Sequence, residues 1–246
     1  MKSYKATDIG RRREINEDYV FASDSRVGKL DNLYLLADGM GGYAGGEIAS
    51  KYAVEDAVAY LSASDTSDPV AALNEAVNFV NSQIRNSSAH TMYEGMGTTL
   101  VGAVVSGRSL TVINIGDSRL YLMSGSLRQV TKDHSWVEEM AVLGKLDRDS
   151  ETYSKNKNYI TRAIGVEESV VADLFEVELH RGDLILLCSD GLTNMVSDYD
   201  IELVLSSQGS LEEKCGRLIS MGLENGGRDN ISVILIDPEV GEVESC

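Results

Sequence analysis

Residues 33–42 read Leu-Tyr-Leu-Leu-Ala-Asp-Gly-Met-Gly-Gly, and this stretch decides the fold. The run from Leu33 to Ala37 is apolar and predicts a buried strand, and Asp38-Gly39 predicts the turn that ends it. A glycine-rich segment over 39–46 follows. An alanine or leucine then recurs every four residues from 49 to 61, which places these side chains on one face of a helix. The stretch therefore predicts a strand, an acidic turn and a helix in succession.

The sequence on the C-terminal side predicts further helices and strands. Apolar residues spaced along 72–84 predict a second helix after Pro69, and we expect it to pack on the first. Three β-rich runs over 98–122, separated by Ser-Gly and Gly-Asp turn signals, predict an antiparallel meander. Later patterns predict helices over 135–143, 197–205 and 211–224, and strands over 170–177, 184–188 and 231–236.

Length and composition are those of a globular protein. The chain has 246 residues, of which 43% are hydrophobic and 25% charged. We expect a single domain over 1–237, with an exposed, charged flap at about 144–158, and a short acidic tail over 238–246. The net charge of −17 argues against nucleic acid and anionic membranes as partners. No run reaches the roughly 18 consecutive apolar residues of a membrane helix.

Cysteine usage indicates the compartment. Cys188, Cys215 and Cys246 are odd in number, widely spaced and without a C-x-x-C pair, which fits a reducing environment. The first eight residues lack the apolar core of a secretory signal. We therefore expect a cytoplasmic protein, and we expect it to be a monomer.

Three aspartates, Asp38, Asp190 and Asp229, stand where a predicted strand begins or ends. A carboxylate at a strand end is held by the sheet yet projects into the loop layer, where several can meet around one hard cation. Without that cation, carboxylates brought together would repel one another. Each aspartate alone also has a plain interpretation, because Asp-Gly and Asp-Asn pairs favour turns and cap backbone groups. Local sequence leaves both interpretations open.

Seven short motifs, taken together, favour the metal-binding interpretation. In chain order they are Arg13-x-x-Asn16-Glu17-Asp18, Ala37-Asp38-Gly39-Met40-Gly41-Gly42, Gly97-Thr98-Thr99, Gly116-Asp117-Ser118-Arg119, Thr131-x-Asp133-His134, Ser189-Asp190-Gly191-Leu192 and Arg228-Asp229-Asn230. In this order they resemble the motifs of the protein phosphatase 2C family over nearly the whole chain. The resemblance implies a metal-dependent serine/threonine protein phosphatase. It also implies an α+β fold, a four-layer α-β-β-α sandwich with two central, mostly antiparallel sheets flanked by helix pairs.

The resemblance also implies a set of metal ligands. Asp38 would bridge two Mn²⁺ or Mg²⁺ ions, and the Gly39 carbonyl would bind the second. Asp190 and Asp229 would complete the protein ligands of the first ion. In bacterial members, the aspartate corresponding to Asp117 holds a third ion together with that corresponding to Asp190. All these donors are oxygens, as hard cations prefer, and the ions would activate a water that attacks phosphorus without a phosphoenzyme.

Further residues are candidates for binding phosphate and supporting the ligands. Arg13 could bind phosphate oxygens through two parallel donors, although local sequence alone favours a solvated basic run. Glu17, Asp18 and Asn230 are expected to hold metal-bound waters or orient the aspartates, with surface capping as the alternative. Phosphorylated proteins, among them a serine/threonine kinase, are the partners that the resemblance suggests.

The proton donor to the leaving oxygen stays open. Met40 stands where many eukaryotic relatives have a histidine, and a thioether cannot donate a proton. His134 is the tempting substitute, but its Thr-Lys-Asp-His context favours a structural hydrogen-bonding role.

The alternative function is a non-catalytic phosphoprotein-binding or scaffold protein that keeps the phosphatase fold. Loss of turnover usually removes a metal ligand, and here all the expected aspartates are present. A cysteine-dependent phosphatase is excluded, because the position six residues after Cys188 is Asn194 and that after Cys215 is Met221, where an arginine is needed.

Overall fold

The computed structural model describes residues 1–42 and 45–240, which contain eleven strands and seven helices. The strands are β1 (Lys2–Asp8), β2 (Asp18–Ser23), β3 (Leu33–Met40), β4 (Gly97–Thr98), β5 (Leu100–Ser106), β6 (Ser109–Ile115), β7 (Arg119–Ser124), β8 (Ser126–Gln129), β9 (Asp173–Glu178), β10 (Leu184–Cys188) and β11 (Ile231–Asp237). The helices are α1 (Gly45–Ala63), α2 (Pro69–Ser88), α3 (Trp136–Val142), α4 (Glu151–Asn156), α5 (Asp190–Thr193), α6 (Asp198–Ser206) and α7 (Leu211–Glu224).

Local sequence explains where several helices begin. The side chain of Asp68 accepts a hydrogen bond from the Ala71 N–H, and Pro69 follows it at the first helical position of α2. Helix α7 starts with a reciprocal capping box, in which the Ser210 hydroxyl and the Glu213 carboxylate each accept from the other's backbone N–H. These caps satisfy N–H groups that the first helical turn would otherwise leave without partners.

The strands form two sheets in which every described neighbouring pair is antiparallel. One sheet has five strands in the order β1-β11-β10-β7-β8. The other sheet has six strands. Five of them follow the order β2-β3-β5-β6-β9, and the short β4 pairs with β3. Asp18 of β2 lies directly opposite Asp38 of β3 in this register.

Three hydrophobic cores hold four layers together. The first lies between helices α1 and α2 and the six-stranded sheet, and it includes Leu35 and Val80. The second lies between the two sheets and includes Tyr34 and Ile234. The third joins the five-stranded sheet to α5, α6 and α7, and Leu218 is buried in it. The predicted four-layer α-β-β-α sandwich is therefore confirmed.

The predicted meander over 98–122 is wrong in its last strand. β5 and β6 pair as expected, but β7 leaves their sheet and pairs with β10 in the other one. The Gly116-Asp117 turn, which resembles a hairpin signal, is instead a crossing between sheets. Strands β1, β2 and β8 and helices α4 and α5 were not predicted. Exposed residues weaken the hydrophobic period of β1, β8 and α4, while β2 and α5, of six and four residues, are too short to show a clear period.

The flap and the tail fall partly within the described residues. The stretch 144–158 is exposed along most of its length, and it contains α4. Of the predicted tail, residues 241–246 lie outside the described residues, whereas the Glu239 carboxylate lies 2.6 Å from the Lys2 ammonium. None of the helices in 1–42 and 45–240 combines the length and apolar character needed to cross a membrane.

Candidate metal and phosphate site

Five aspartates from both sheets meet at one edge of the sandwich. Asp38 follows the buried residues 33–37 of β3, Asp190 opens α5 two residues after the end of β10, and Asp229 stands two residues before β11. Asp18 begins β2, and Asp117 lies at the crossing from β6 to β7. Burial raises the pKa of Asp38 well above its usual range, and the charges of the other four raise it further. The structure thus brings Asp38, Asp190 and Asp229 together as predicted, with Asp18 and Asp117 beside them.

Hydrogen bonds with Thr98 and Thr99 fix the backbone around Asp38. The Asp38 N–H donates to Thr99 Oγ1 at 2.9 Å, while its carbonyl accepts from Thr98 Oγ1 at 2.8 Å and the Thr99 N–H at 2.9 Å. Gly39 is needed because a Cβ there would lie 1.9 Å from the carbonyl oxygen of Gly46, at the start of α1. Helix α1 therefore packs directly against the acidic turn.

Two buried carboxylate oxygens in the cluster have no hydrogen-bond donor among the described residues, namely Asp18 Oδ1 and Asp117 Oδ1. The other oxygen of Asp18 accepts from the Ser189 hydroxyl at 2.8 Å. Burial raises the pKa of Asp18 to about 7, although hydrogen bonds from Ser232 and Ser189 oppose the shift. Buried acceptors without donors are the chemistry that a hard cation satisfies, so the donor set fits the predicted metals.

Asp117 and Asp190 share a small cavity of about 30 Å³, which Asp133 and Lys157 also line. Such a volume holds about one water molecule or one ion. Burial, and next the charge of Asp229, raise the pKa of Asp190 to about 6, while a 2.9 Å hydrogen bond from the Asn194 side-chain amide opposes the shift. Asp117 and Asp190, which the resemblance implies as ligands of a third ion, thus line the same cavity.

Arg13 and Asp229 are bound to each other, which the sequence did not predict. Arg13 Nε lies 2.9 Å from Asp229 Oδ1, and Arg13 Nη2 donates to Asp229 Oδ2 at 2.9 Å. Arg13 Nη1 also donates to Glu17 Oε2 at 3.3 Å. Within 1–42 and 45–240, no three carboxylate, imidazole or thiolate groups enclose one metal position. The carboxylates are gathered, but Asp229 is turned toward the guanidinium.

Asn230 ties the segment that carries Arg13 to the start of β11. Its side-chain oxygen accepts from the Glu17 N–H at 2.8 Å, and its amide donates to the carbonyls of Ile9 at 2.9 Å and Ile15 at 3.0 Å. The Asn230 side chain is buried, and these three hydrogen bonds give both its amide oxygen and its amide nitrogen a partner. Asn230 thus holds the Arg13–Glu17 segment against the strand that follows Asp229.

His134 shapes the turn that presents Asp117. The Gly116 N–H donates to His134 Nδ1 at 3.1 Å, and the His134 N–H donates to the Gly116 carbonyl at 2.9 Å. Burial lowers the pKa of His134, and an Nδ1 that accepts a hydrogen bond carries no proton. The imidazole is therefore neutral and structural, in agreement with the role predicted for it.

Two basic residues beside the site escaped the sequence interpretation. Arg119 binds Asp133 with Nε at 3.0 Å and Nη2 at 2.7 Å, and both residues line the small cavity. Lys157, at the end of the flap, interacts electrostatically with Asp190. Arg119 stands within a quoted motif and Lys157 within the predicted flap, yet only the fold shows which carboxylates they face.

The comparisons with known proteins agree with this geometry. The sequence profile of the family described as protein phosphatase 2C matches residues 10–229. The serine/threonine phosphatase stp of Listeria welshimeri is 39% identical over 239 residues, covering 94% of this chain and 93% of its own. The protein phosphatase PhpP of Streptococcus pneumoniae is 37% identical over 245 residues, covering 97% and 98% respectively.

A solved structure extends the likeness to three dimensions. The catalytic domain of the serine/threonine protein phosphatase PstP, in complex with two manganese ions, has a TM-score of 0.83 and 36% sequence identity to this chain. The match covers 95% of this chain and 96% of that domain. With the profile match and the two curated relatives, it shows that the chain belongs to the protein phosphatase 2C family.

Proposed function

We propose that this protein hydrolyses phosphoserine and phosphothreonine in other proteins with two or three divalent cations, Mn²⁺ or Mg²⁺. The family makes the chain a serine/threonine protein phosphatase. The metal-assisted chemistry and the roles of the individual residues are the parts that we propose. The proposed ligands are the carboxylates of Asp38, Asp117, Asp190 and Asp229 and the carbonyl of Gly39.

The carboxylate cluster carries this proposal. Burial and the mutual repulsion of the aspartates raise the pKa of Asp38, and Asp18 and Asp117 each keep a buried oxygen without a donor. Gathering like charges in this way is costly unless a cation binds among them. A bound divalent cation would lower the pKa of a coordinated water toward neutrality and offset the charge of the phosphate oxygens.

Arg13 supplies the proposed phosphate contact. Its guanidinium already binds one carboxylate through two parallel donors, and a phosphate offers the same pair of acceptors. To bind substrate in this way, Arg13 would exchange Asp229 for phosphate, leaving the Asp229 oxygens available as ligands. The bonds of Asn230 to this segment keep Arg13 beside the cluster during the exchange.

A protein that only binds phosphoproteins is the alternative, and the Arg13–Asp229 pair is the observation that favours it. An aspartate already neutralised by a guanidinium at 2.9 Å does not require a metal. One assay distinguishes the two functions, because only an enzyme releases inorganic phosphate from the peptide in a metal-dependent way.

The test is phosphate release from a phosphothreonine peptide with Mn²⁺ and then with chelator. Asp38→Asn and Asp229→Asn should lose activity while remaining folded by circular dichroism. Asp65→Asn is the matched control, because the Asp65 side chain is fully exposed and its nearest cation is 3.8 Å away. Full activity of both cluster variants would refute the proposal.

We further propose a cytoplasmic monomer built as one domain over 1–237, whose substrates include a serine/threonine kinase. The thiols of Cys188 and Cys215 are free and buried, which suits a reducing compartment. The hydrophobic core between the two sheets supports a single domain, because each half of the sandwich buries its inner face on the other.

A further inference from the structure

A larger cavity, of about 340 Å³, opens beside the carboxylate cluster. The flap lines it with residues 154, 155, 157 and 158, and the rest of the lining includes Asn194, Arg228 and Asp229. Asp229 thus lines this cavity while also belonging to the cluster. Whatever occupies the cavity lies next to the site where phosphate would be hydrolysed.

Two cationic side chains that line this cavity are held by no hydrogen bond or ion pair among residues 1–42 and 45–240. Lys157 is half-buried and Arg228 is exposed. Burial lowers the pKa of Lys157, the nearby charge of Asp190 raises it, and the charges of Arg119 and Arg228 lower it, so the charges of Lys157 and Arg228 lie within interaction range of each other.

The placement of these cations contrasts with the rest of the molecule. The chain has 39 acidic residues and only 22 basic ones, so its net charge repels anions over most of the surface. A third cation, Lys155, lines the same cavity but is engaged, because its ammonium lies 2.6 Å from Glu151. The free positive charge of the cavity therefore belongs to Lys157 and Arg228.

We propose that Lys157 and Arg228 form an anion subsite, which binds an acidic or phosphorylated side chain close in sequence to the phosphoresidue that is hydrolysed. The inference rests on the proposed function and deepens it by naming a substrate class. An anion between the two cations would relieve their repulsion and form charge-assisted hydrogen bonds. Peptides with a second negative group are then the preferred substrates.

The size of the cavity limits where the second anion can lie. A cavity of 340 Å³ is about 9 Å across if it is taken as a sphere, and an extended chain covers that distance in about two to three residues. The second anion should therefore lie about two or three residues from the scissile phosphoresidue. An anion six residues away should have little effect.

The test compares kcat/KM for three phosphothreonine peptides at saturating Mn²⁺. One has neutral flanks, one carries glutamate and one carries phosphoserine at two to three residues from the phosphothreonine, on either side. We expect the wild-type protein to prefer each anionic peptide by about tenfold, as one charge-assisted contact provides. The glutamate and phosphoserine arms show whether carboxylate or phosphate is the better ligand.

In the double variant Lys157→Gln/Arg228→Gln, the ratio of kcat/KM for an anionic peptide to that for the neutral peptide should fall to about one. In Lys157→Glu/Arg228→Glu the ratio should fall below one. Using the ratio of two peptides within each variant cancels any effect on the chemical step. Lys155→Gln is the matched control, since it removes a cation from the same cavity that is already paired, and it should keep the preference. A tenfold preference that survives in both double variants would overturn the subsite.

Binding to an inactive variant separates this inference from the proposed function. With Asp38→Asn, fluorescence anisotropy should show tighter binding of the anionic peptides, and Lys157→Gln/Arg228→Gln in that background should abolish the difference. If the wild-type protein hydrolysed no peptide but this binding difference remained, the chemistry would be refuted and the subsite retained. Equal binding of all three peptides to Asp38→Asn would overturn the subsite alone.

Discussion

Replacing Asp190 by asparagine should stabilise the protein in the presence of a chelator while abolishing its activity. In the native cluster, burial and the charge of Asp229 raise the pKa of Asp190 to about 6. Asparagine has nearly the same shape and carries no charge. Its side-chain oxygen can still accept the hydrogen bond from the Asn194 amide, which is 2.9 Å in the wild-type protein.

The magnitude follows from the shift in pKa. A rise from 3.8 to about 6 means that keeping Asp190 ionised in the folded state costs at most about 3 kcal/mol, at 1.36 kcal/mol per pKa unit. For a domain of this size, each kcal/mol changes Tm by about 2–4 °C. With EDTA at pH 8, Asp190→Asn should therefore melt up to about 6–12 °C above the wild-type protein.

The pH dependence gives the sign of the effect. Because the folded pKa of Asp190 lies above the unfolded one, its unfavourable contribution is absent below about pH 4 and complete above about pH 6. The advantage of Asp190→Asn should therefore shrink as the pH falls from 8 toward 4. Mn²⁺ should reverse the order at pH 8, because a cation that binds only the folded wild-type protein raises its stability.

Differential scanning fluorimetry over pH 4–8, with EDTA or Mn²⁺, measures all of this in one experiment, and phosphothreonine peptide hydrolysis is measured on the same samples. A variant less stable than wild type in EDTA at pH 8 would show that the carboxylates do not repel one another. Equal stabilisation of both proteins by Mn²⁺ would remove Asp190 from the ligand set.

Three further predictions concern other parts of the site. Gly39→Ala should lose at least about 2 kcal/mol of unfolding free energy in urea, because its Cβ would lie 1.9 Å from the Gly46 carbonyl oxygen, whereas Gly216→Ala, with open space around it, should lose none; equal losses would contradict the close packing. Arg13→Ala should raise KM for phosphopeptide more than it lowers kcat, and a large fall in kcat at constant KM would assign Arg13 to the transition state instead. Deleting 144–158 should alter peptide preference while p-nitrophenyl phosphate hydrolysis largely persists, and equal changes in both would show that the flap does not select substrates.

Much of the site could be predicted because its residues stand at strand ends. The run from Leu33 to Ala37 marks a buried strand without ambiguity, and the aspartate after it has to emerge at the sheet edge. The same logic holds for Asp190 after β10 and Asp229 before β11. Their convergence needed the motifs as well, because local patterns do not determine which strand ends share an edge.

The features that were missed depend on long-range placement. The Gly116-Asp117 turn has the composition of a hairpin, and only the packing of β7 on β10 shows that it joins two sheets. Arg13 and Asp229 are 216 residues apart in sequence, so their ion pair has no local signal. Lys157 is one lysine in a charged stretch until the flap places it near Asp190.

Counting bound metal on the same samples that are assayed is the most direct test of the central claim, that the gathered carboxylates hold the cations which make hydrolysis possible. After dialysis against Mn²⁺, the wild-type protein should retain at least two ions per chain and hydrolyse phosphothreonine peptide. Asp38→Asn should lose metal and activity together. Wild-type protein that hydrolyses the peptide with no bound metal, or Asp38→Asn that retains a full set of ions and full activity, would contradict the account.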